Sequence, residues 1–161
     1  MLNAFVTVAT PFLLVFGLYH LFTWFDLFHL NRRTYWKRVG LTAAISHILL
    51  ATGFFTFTYF DFETNRAAAA PGMSYGTFLF QHSAFWRLAA VLDTAPLVAV
   101  LAVFTVMDRA GMTGPLLLLA MALVYVVGTL QWYYVGGGVG LLLDRFWNGL
   151  KTGEDGEEWF Q

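Results

Sequence analysis

Hydrophobic residues in this chain run on in long unbroken stretches, without the alternation of a half-buried strand or the one-sided stripe of a surface helix. No Lys, Arg, Asp or Glu interrupts the stretch from Ala4 to Phe25, and a second uncharged run extends from Val39 to Phe60. A third, residues 88–107, is broken only by Asp93, and a fourth, residues 110–143, is the longest. A helix needs about 20 mostly apolar residues to cross about 30 Å of hydrocarbon. The pattern therefore predicts four spans, about 4–26, 39–60, 87–108 and 114–135. Only helices and closed barrels satisfy their backbone in lipid, and these runs are too long and continuous for barrel strands. The expected fold is all-α: a polytopic four-transmembrane-helix bundle forming a single membrane domain over residues 1–161.

The segments between the runs complete this picture. Met1–Phe5 lacks the basic region of a cleaved signal peptide, so residues 4–26 are read as a retained first span. Arg32, Arg33, Lys37 and Arg38 put four positive charges and no acid between the first two spans. The positive-inside tendency assigns loop 31–38 to the cytoplasm, and an even number of spans then leaves both termini outside. Trp24, Tyr35 and Trp36 suit an aromatic belt at one surface, and Trp86, Trp132, Tyr133 and Tyr134 one at the other. Residues 73–86 read as an interfacial or re-entrant segment. Gly136, Gly137, Gly138 and Gly140 weaken any helix they occupy, and Gly136 with Gly140 makes a small-xxx-small pair suited to close helix contact. Residues 141–150 read as a short amphipathic interfacial C-terminal helix.

Composition narrows the class further. Of 161 residues, 58% are hydrophobic and 12% charged, against about 25% charged in an ordinary soluble domain. The mean hydropathy is +0.63. The absence of cysteine excludes disulfides, Cys-ligated metals and thiol chemistry. A formal net charge of −1 offers nucleic acid no general attraction. The expected partners are the lipid bilayer and other membrane subunits.

Two histidines stand at matched depth. His20 lies about ten residues before the basic loop and His47 about nine after it, so each is roughly 13–16 Å from that loop in antiparallel helices. Gly17, Gly40, Ala43, Ala44 and Ala51 give them small surroundings. Imidazole is an axial ligand of b-type haem and serves chlorins similarly. Arg38 and Arg33, with Lys37 and Arg32, stand where acidic propionates would emerge. Against this, neighbouring helices pack at about 8–10 Å, too close for a ring held between two axial histidines. The structural alternative has each His bonding a backbone carbonyl or a Ser/Thr hydroxyl on a neighbouring helix. Asp26 and His29 read as a solvated ion-pair cluster at the boundary.

Asp93 is the second candidate. A charge inside a span costs several kcal/mol unless paired, hydrated or protonated (about 3 kcal/mol on insertion scales). If residues 82–100 form one helix, then His82, Trp86, Ala89, Asp93, Pro96 and Val100 share a face. His82, Arg87, Thr94 and Gln131 are its candidate partners. One reading is a proton-accepting or substrate-binding carboxylate. The other is an Asp capping a kinked helix or bonding Gln131 to fix register.

Three functions follow. The first is a non-catalytic helical subunit or assembly partner of a larger membrane complex. The second is a haem- or chlorin-binding redox protein using His20 and His47, with room for a quinone near Trp24 and Asp26. The third is a small membrane enzyme or proton-coupled transporter centred on Asp93, with His82, Arg87 and Gln131, and loop 61–87 as its outer lid. No hydrolase triad, HExxH motif or paired carboxylates appears at diagnostic spacing, which leans the reading away from an enzyme.

Overall fold

The apolar runs fold as helices throughout the described part of the chain, residues 2–65, 74, 75, 78, 93–109 and 116–154, in a computed structural model. Among the described residues there is no strand. Helix α1 covers Leu2–Trp24, a 3-10 helix follows at Leu27–Arg32, and α2 covers Tyr35–Thr64. Helix α3 is Thr94–Arg109 and α4 is Leu116–Leu123; a π turn, Val124–Gly128, leads without interruption into α5, Thr129–Glu154. Two stretches, Tyr35–Thr64 and Leu118–Gly149, are long and apolar enough to cross a membrane; Pro11–Trp24 and Thr94–Val103 are shorter apolar helices.

The chain divides into two compact units, Met1–Ser46 with Trp132–Gln161, and His47–Gln131. In the first unit, the start of α2 lies directly on the middle of α5, backbone against backbone. A Cβ on Gly140 would stand 2.9 Å from Trp36 Cα, one on Gly136 2.6 Å from Ala43 Cβ, and one on Gly40 2.7 Å from the Tyr133 carbonyl oxygen. Only glycine permits this approach. These glycines therefore continue the helix instead of breaking it, because the contact they allow offsets their propensity cost of about 1 kcal/mol each. Residues 141–150 continue α5, exposed over 141–149, and are not the separate short helix anticipated.

Rising numbers along α2 meet falling numbers along α5, so the two segments are antiparallel. The Trp36 and Tyr133 rings, assigned by sequence to opposite surfaces, lie 6.3 Å apart edge to face. The expected topology had residues 39–60 and 114–135 running the same way, and that arrangement does not hold. Helix α3 has 16 residues, about 24 Å at 1.5 Å per residue; residues 87–92 of the expected third span lie outside the described residues.

Also in the first unit, the connection from α1 to α2 is tightly bonded. Asp26, Phe28 and His29 all have positive φ (48°, 58° and 51°). Arg38 clamps the turn by donating from Nη2 to the Asn31 carbonyl (2.7 Å) and from Nε to the Arg33 carbonyl (2.8 Å).

In the second unit, α2 from His47 onward packs on the π turn and α4. Ala51, Phe55 and Val124 form the apolar core, flanked by Phe54, Tyr75, Met121 and Tyr125. Polar contacts surround this core. Thr52 Oγ1 lies 2.9 Å from Tyr125 Oη, Thr58 Oγ1 lies 2.8 Å from Tyr75 Oη, and Tyr75 Oη donates to the Phe55 carbonyl at 3.1 Å. Helix α3 lies along the π turn and α4, burying Pro96 and Val100 one turn apart while Val98 and Leu101 face outward.

Candidate functional site

The second unit holds an imidazole and a carboxylate in contact, shut away from solvent. His47 Nε2 lies 3.0 Å from Asp93 Oδ1; His47 is 2% exposed and Asp93 8%. The other ring nitrogen, Nδ1, lies 3.1 Å from Thr129 Oγ1. The Nδ1–Thr129 hydrogen bond can run either way with the ring tautomer, while Nε2 and Asp93 Oδ1 face each other at ion-pair distance without hydrogen-bond geometry.

Local sequence builds each part. Ala51, one turn beyond His47 on α2, is buried with it. The opposing backbone comes closest at Gly128, the last residue of the π turn. A Cβ there would stand 2.6 Å from both Cε1 and Nε2 of His47, and 3.0 Å from Asp93 Oδ1. A π turn carries one residue more per hydrogen-bonded turn than an α-helix, and such turns recur at functional sites. Here it brings Gly128 beneath the ring and Thr129 to its edge.

Asp93 holds the N-cap position of α3. Its carbonyl accepts the first helical bond from Leu97 N–H at 2.9 Å. An N-cap carboxylate usually accepts from the second or third residue of the helix. In this helix that task falls to Gln131, whose Oε1 accepts from Ala95 N–H at 2.8 Å, while the Asp93 carboxylate reaches His47. Pro96 sits among the first residues of α3, where a missing N–H costs nothing.

The structure thus regroups the sequence candidates. It joins Asp93 to His47, which the sequence reading had assigned to a different site, and brings Gln131 to the helix end beside Asp93. His82 and Arg87 lie outside the described residues, as does most of segment 73–86. Of the single helix expected over 82–100, residues 82–92 lie outside the described residues, and Asp93 precedes α3. His20 belongs to the first unit, and its ring is exposed beside Phe16 at 4.4 Å and Tyr19 at 5.9 Å. An axial ligand needs a ring nitrogen with its lone pair open, and both His47 nitrogens face protein groups. Arg38 and Arg33 are turned to backbone carbonyls of the loop, Arg33 Nε donating to Phe28 at 3.4 Å. Asp26 and His29 form an exposed, loose pair at 3.9 Å. Among the described residues no three His, Asp or Glu side chains gather as a metal site.

Thr129 and Gly128 were not anticipated. A usable signal was present: Asp93-Thr94-Ala95-Pro96 reads as a helix start, and Gly128-Thr129 is the small pair between Val124–Val127 and Trp132–Tyr134. Compared with known proteins, the chain matches no family model, no curated sequence and no solved structure. The site's own chemistry carries the functional argument.

Proposed function

We propose that this chain is an integral membrane protein whose working centre is the His47–Asp93 pair, taking up and releasing a proton within the bilayer, as a proton-coupled carrier of a small solute would. One observation carries the reading: a carboxylate and an imidazole 3.0 Å apart and almost fully buried, in a chain with two helices long and apolar enough to cross a membrane. Ionisable groups at such positions are expensive and mark ion or proton pathways. His47 is twelve residues past Tyr35, about 18 Å along α2, near mid-depth for a spanning helix. On this reading α3 is a half-helix that starts there with its positive end at Asp93, the device by which broken helices hold charge inside a membrane. The long helices cross in opposite senses, so the basic loop 31–38 and the distal end of α5 share the cytoplasmic side. The start of α1 is on the other side, in place of the four-span arrangement with both termini outside.

The test is infrared difference spectroscopy of the full chain in liposomes, between acid and alkaline pH. A carboxyl band that disappears in Asp93→Asn and shifts in His47→Gln is expected. Carboxyl and imidazole bands that stay constant across the range in which histidine ordinarily titrates would sink the proposal. So would a monodisperse protein in water without surfactant.

A second reading, a helical subunit or assembly partner of a larger membrane complex, is favoured by the outward row Leu118, Val126, Leu130 and Tyr134, each more than half exposed. Lipid covers such a row as readily as protein does. Copurification of another membrane protein at fixed stoichiometry under mild detergent separates the two.

A further inference from the structure

The connection between α1 and α2 keeps an apolar surface turned outward, although its geometry is costly to hold. Trp24 is 85% exposed, Phe25 64% and Phe28 56%. Phe28 and His29 occupy the left-handed region, with φ of 58° and 51°, where an aromatic residue is a genuine outlier. Such a conformation persists only where its surroundings over-determine it. Besides the Arg38 clamp, Asn31 N–H donates to Asp26 Oδ1 at 2.9 Å, Asn31 Nδ2 donates to the Thr23 carbonyl at 3.0 Å, and Leu30 is fully buried beneath. The loop is thus rigidly built, and what it holds outward is aromatic.

Beside that surface stand Arg32, Arg33 and Lys37, all exposed. Asp26 is the only carboxylate before Asp61 in the sequence, and it is engaged by Asn31 and His29. Among the described residues no carboxylate pairs with Arg32, Arg33 or Lys37. Exposed aromatic groups set beside uncompensated cations match the boundary between acyl chains and anionic headgroups.

We propose that this loop is a binding site for an anionic phospholipid, the phosphate held among Arg32, Arg33 and Lys37 and the glycerol and upper acyl carbons resting on Trp24, Phe25 and Phe28. The site is independent of the His47–Asp93 pair. The test uses the full chain in vesicles of phosphatidylcholine mixed with phosphatidylglycerol, one or other lipid carrying brominated chains that quench tryptophan. Trp24→Phe supplies the background from the other tryptophans. Brominated phosphatidylglycerol is expected to quench Trp24 more strongly than brominated phosphatidylcholine. That preference should fall about fivefold for each charge removed in Arg32→Gln, Arg33→Gln and Lys37→Gln. Inorganic phosphate should not compete. Equal quenching by both lipids in the native chain, a preference that survives all three substitutions, or displacement by inorganic phosphate alone would each overturn the proposal. Phe28→Gly guards against a fold that fails: glycine relieves the positive φ, so thermal stability should rise while quenching of Trp24 by either brominated lipid drops. Stability and quenching rising together would also refute it.

Discussion

The two units use the same pair of long helices and join them by different means. In the first, Gly40, Gly136 and Gly140 let the backbones of α2 and α5 touch. In the second, α2 is joined to the π turn and its flanking residues through side chains: His47 with Thr129, Thr52 with Tyr125, and the Asp93 carboxylate beside them. The difference reflects what an apolar surrounding leaves available. On the membrane reading proposed above, lipid is as apolar as leucine, so helices gain little by burying leucine and attraction comes from close backbone packing or from polar side chains that meet. The glycine contact has no chemistry of its own. The polar contact brings ionisable groups together.

Breaking the polar contact one partner at a time should have the largest effect. Asp93→Ala or His47→Ala leaves the other group buried without its partner and is expected to cost about 3–5 kcal/mol. His47→Leu with Asp93→Leu should recover most of that loss while abolishing the proposed proton chemistry. Thermal unfolding in detergent, analysed as a double-mutant cycle, measures both; additive losses would mean that the pair is not coupled.

Glycine substitutions sharpen the comparison at a smaller scale. Gly140→Ala and Gly128→Ala should each cost about 1–3 kcal/mol through overpacking, but for different reasons. The new methyl group at Gly140 meets the Trp36 backbone, so the cost should be the same whatever residue stands at 47. At Gly128 the methyl group meets the His47 ring, so the cost should largely vanish in a His47→Ala background. Equal costs at Gly128 in both backgrounds would remove the ring from the account of that glycine.

The smallest effect concerns Tyr75, at the far end of the second unit. Burial among Phe54, Phe55 and Phe62 pushes its phenol above the ordinary value, and the hydroxyl contact with Thr58 opposes this in part. A raised folded-state value means that its contribution to stability is complete below the usual phenol range and is lost as pH rises through the raised value. In an alkaline absorbance titration, Tyr75→Phe should remove part of the late-ionising signal. If only the early, exposed tyrosines diminish, the assignment fails.

Much of the first unit could be read along the chain. The Gly136 and Gly140 pair signalled close contact, although its partner surface, Trp36 to Ala43, carries no mark in the sequence. The second unit was legible in pieces. Asp93 stood out as an acid in an apolar run, and His47 as a histidine on a small-residue face with a Ser/Thr hydroxyl as one expected partner. Their meeting depends on packing between residues far apart in sequence, and Asp93 was expected near the outer end of a span, away from His47.

Sequence alone determined the helical class, the apolar lengths, the basic loop and the few buried groups able to carry chemistry, because each depends on composition within one turn or one span. Tertiary structure decided that α3 starts at Asp93, that α5 runs against α2, and that His47, Thr129 and Asp93 share one pocket of space. Those facts depend on how helices distant in sequence register against one another. Register is set by where backbones can approach, at glycines whose partner is chosen only when the chain folds.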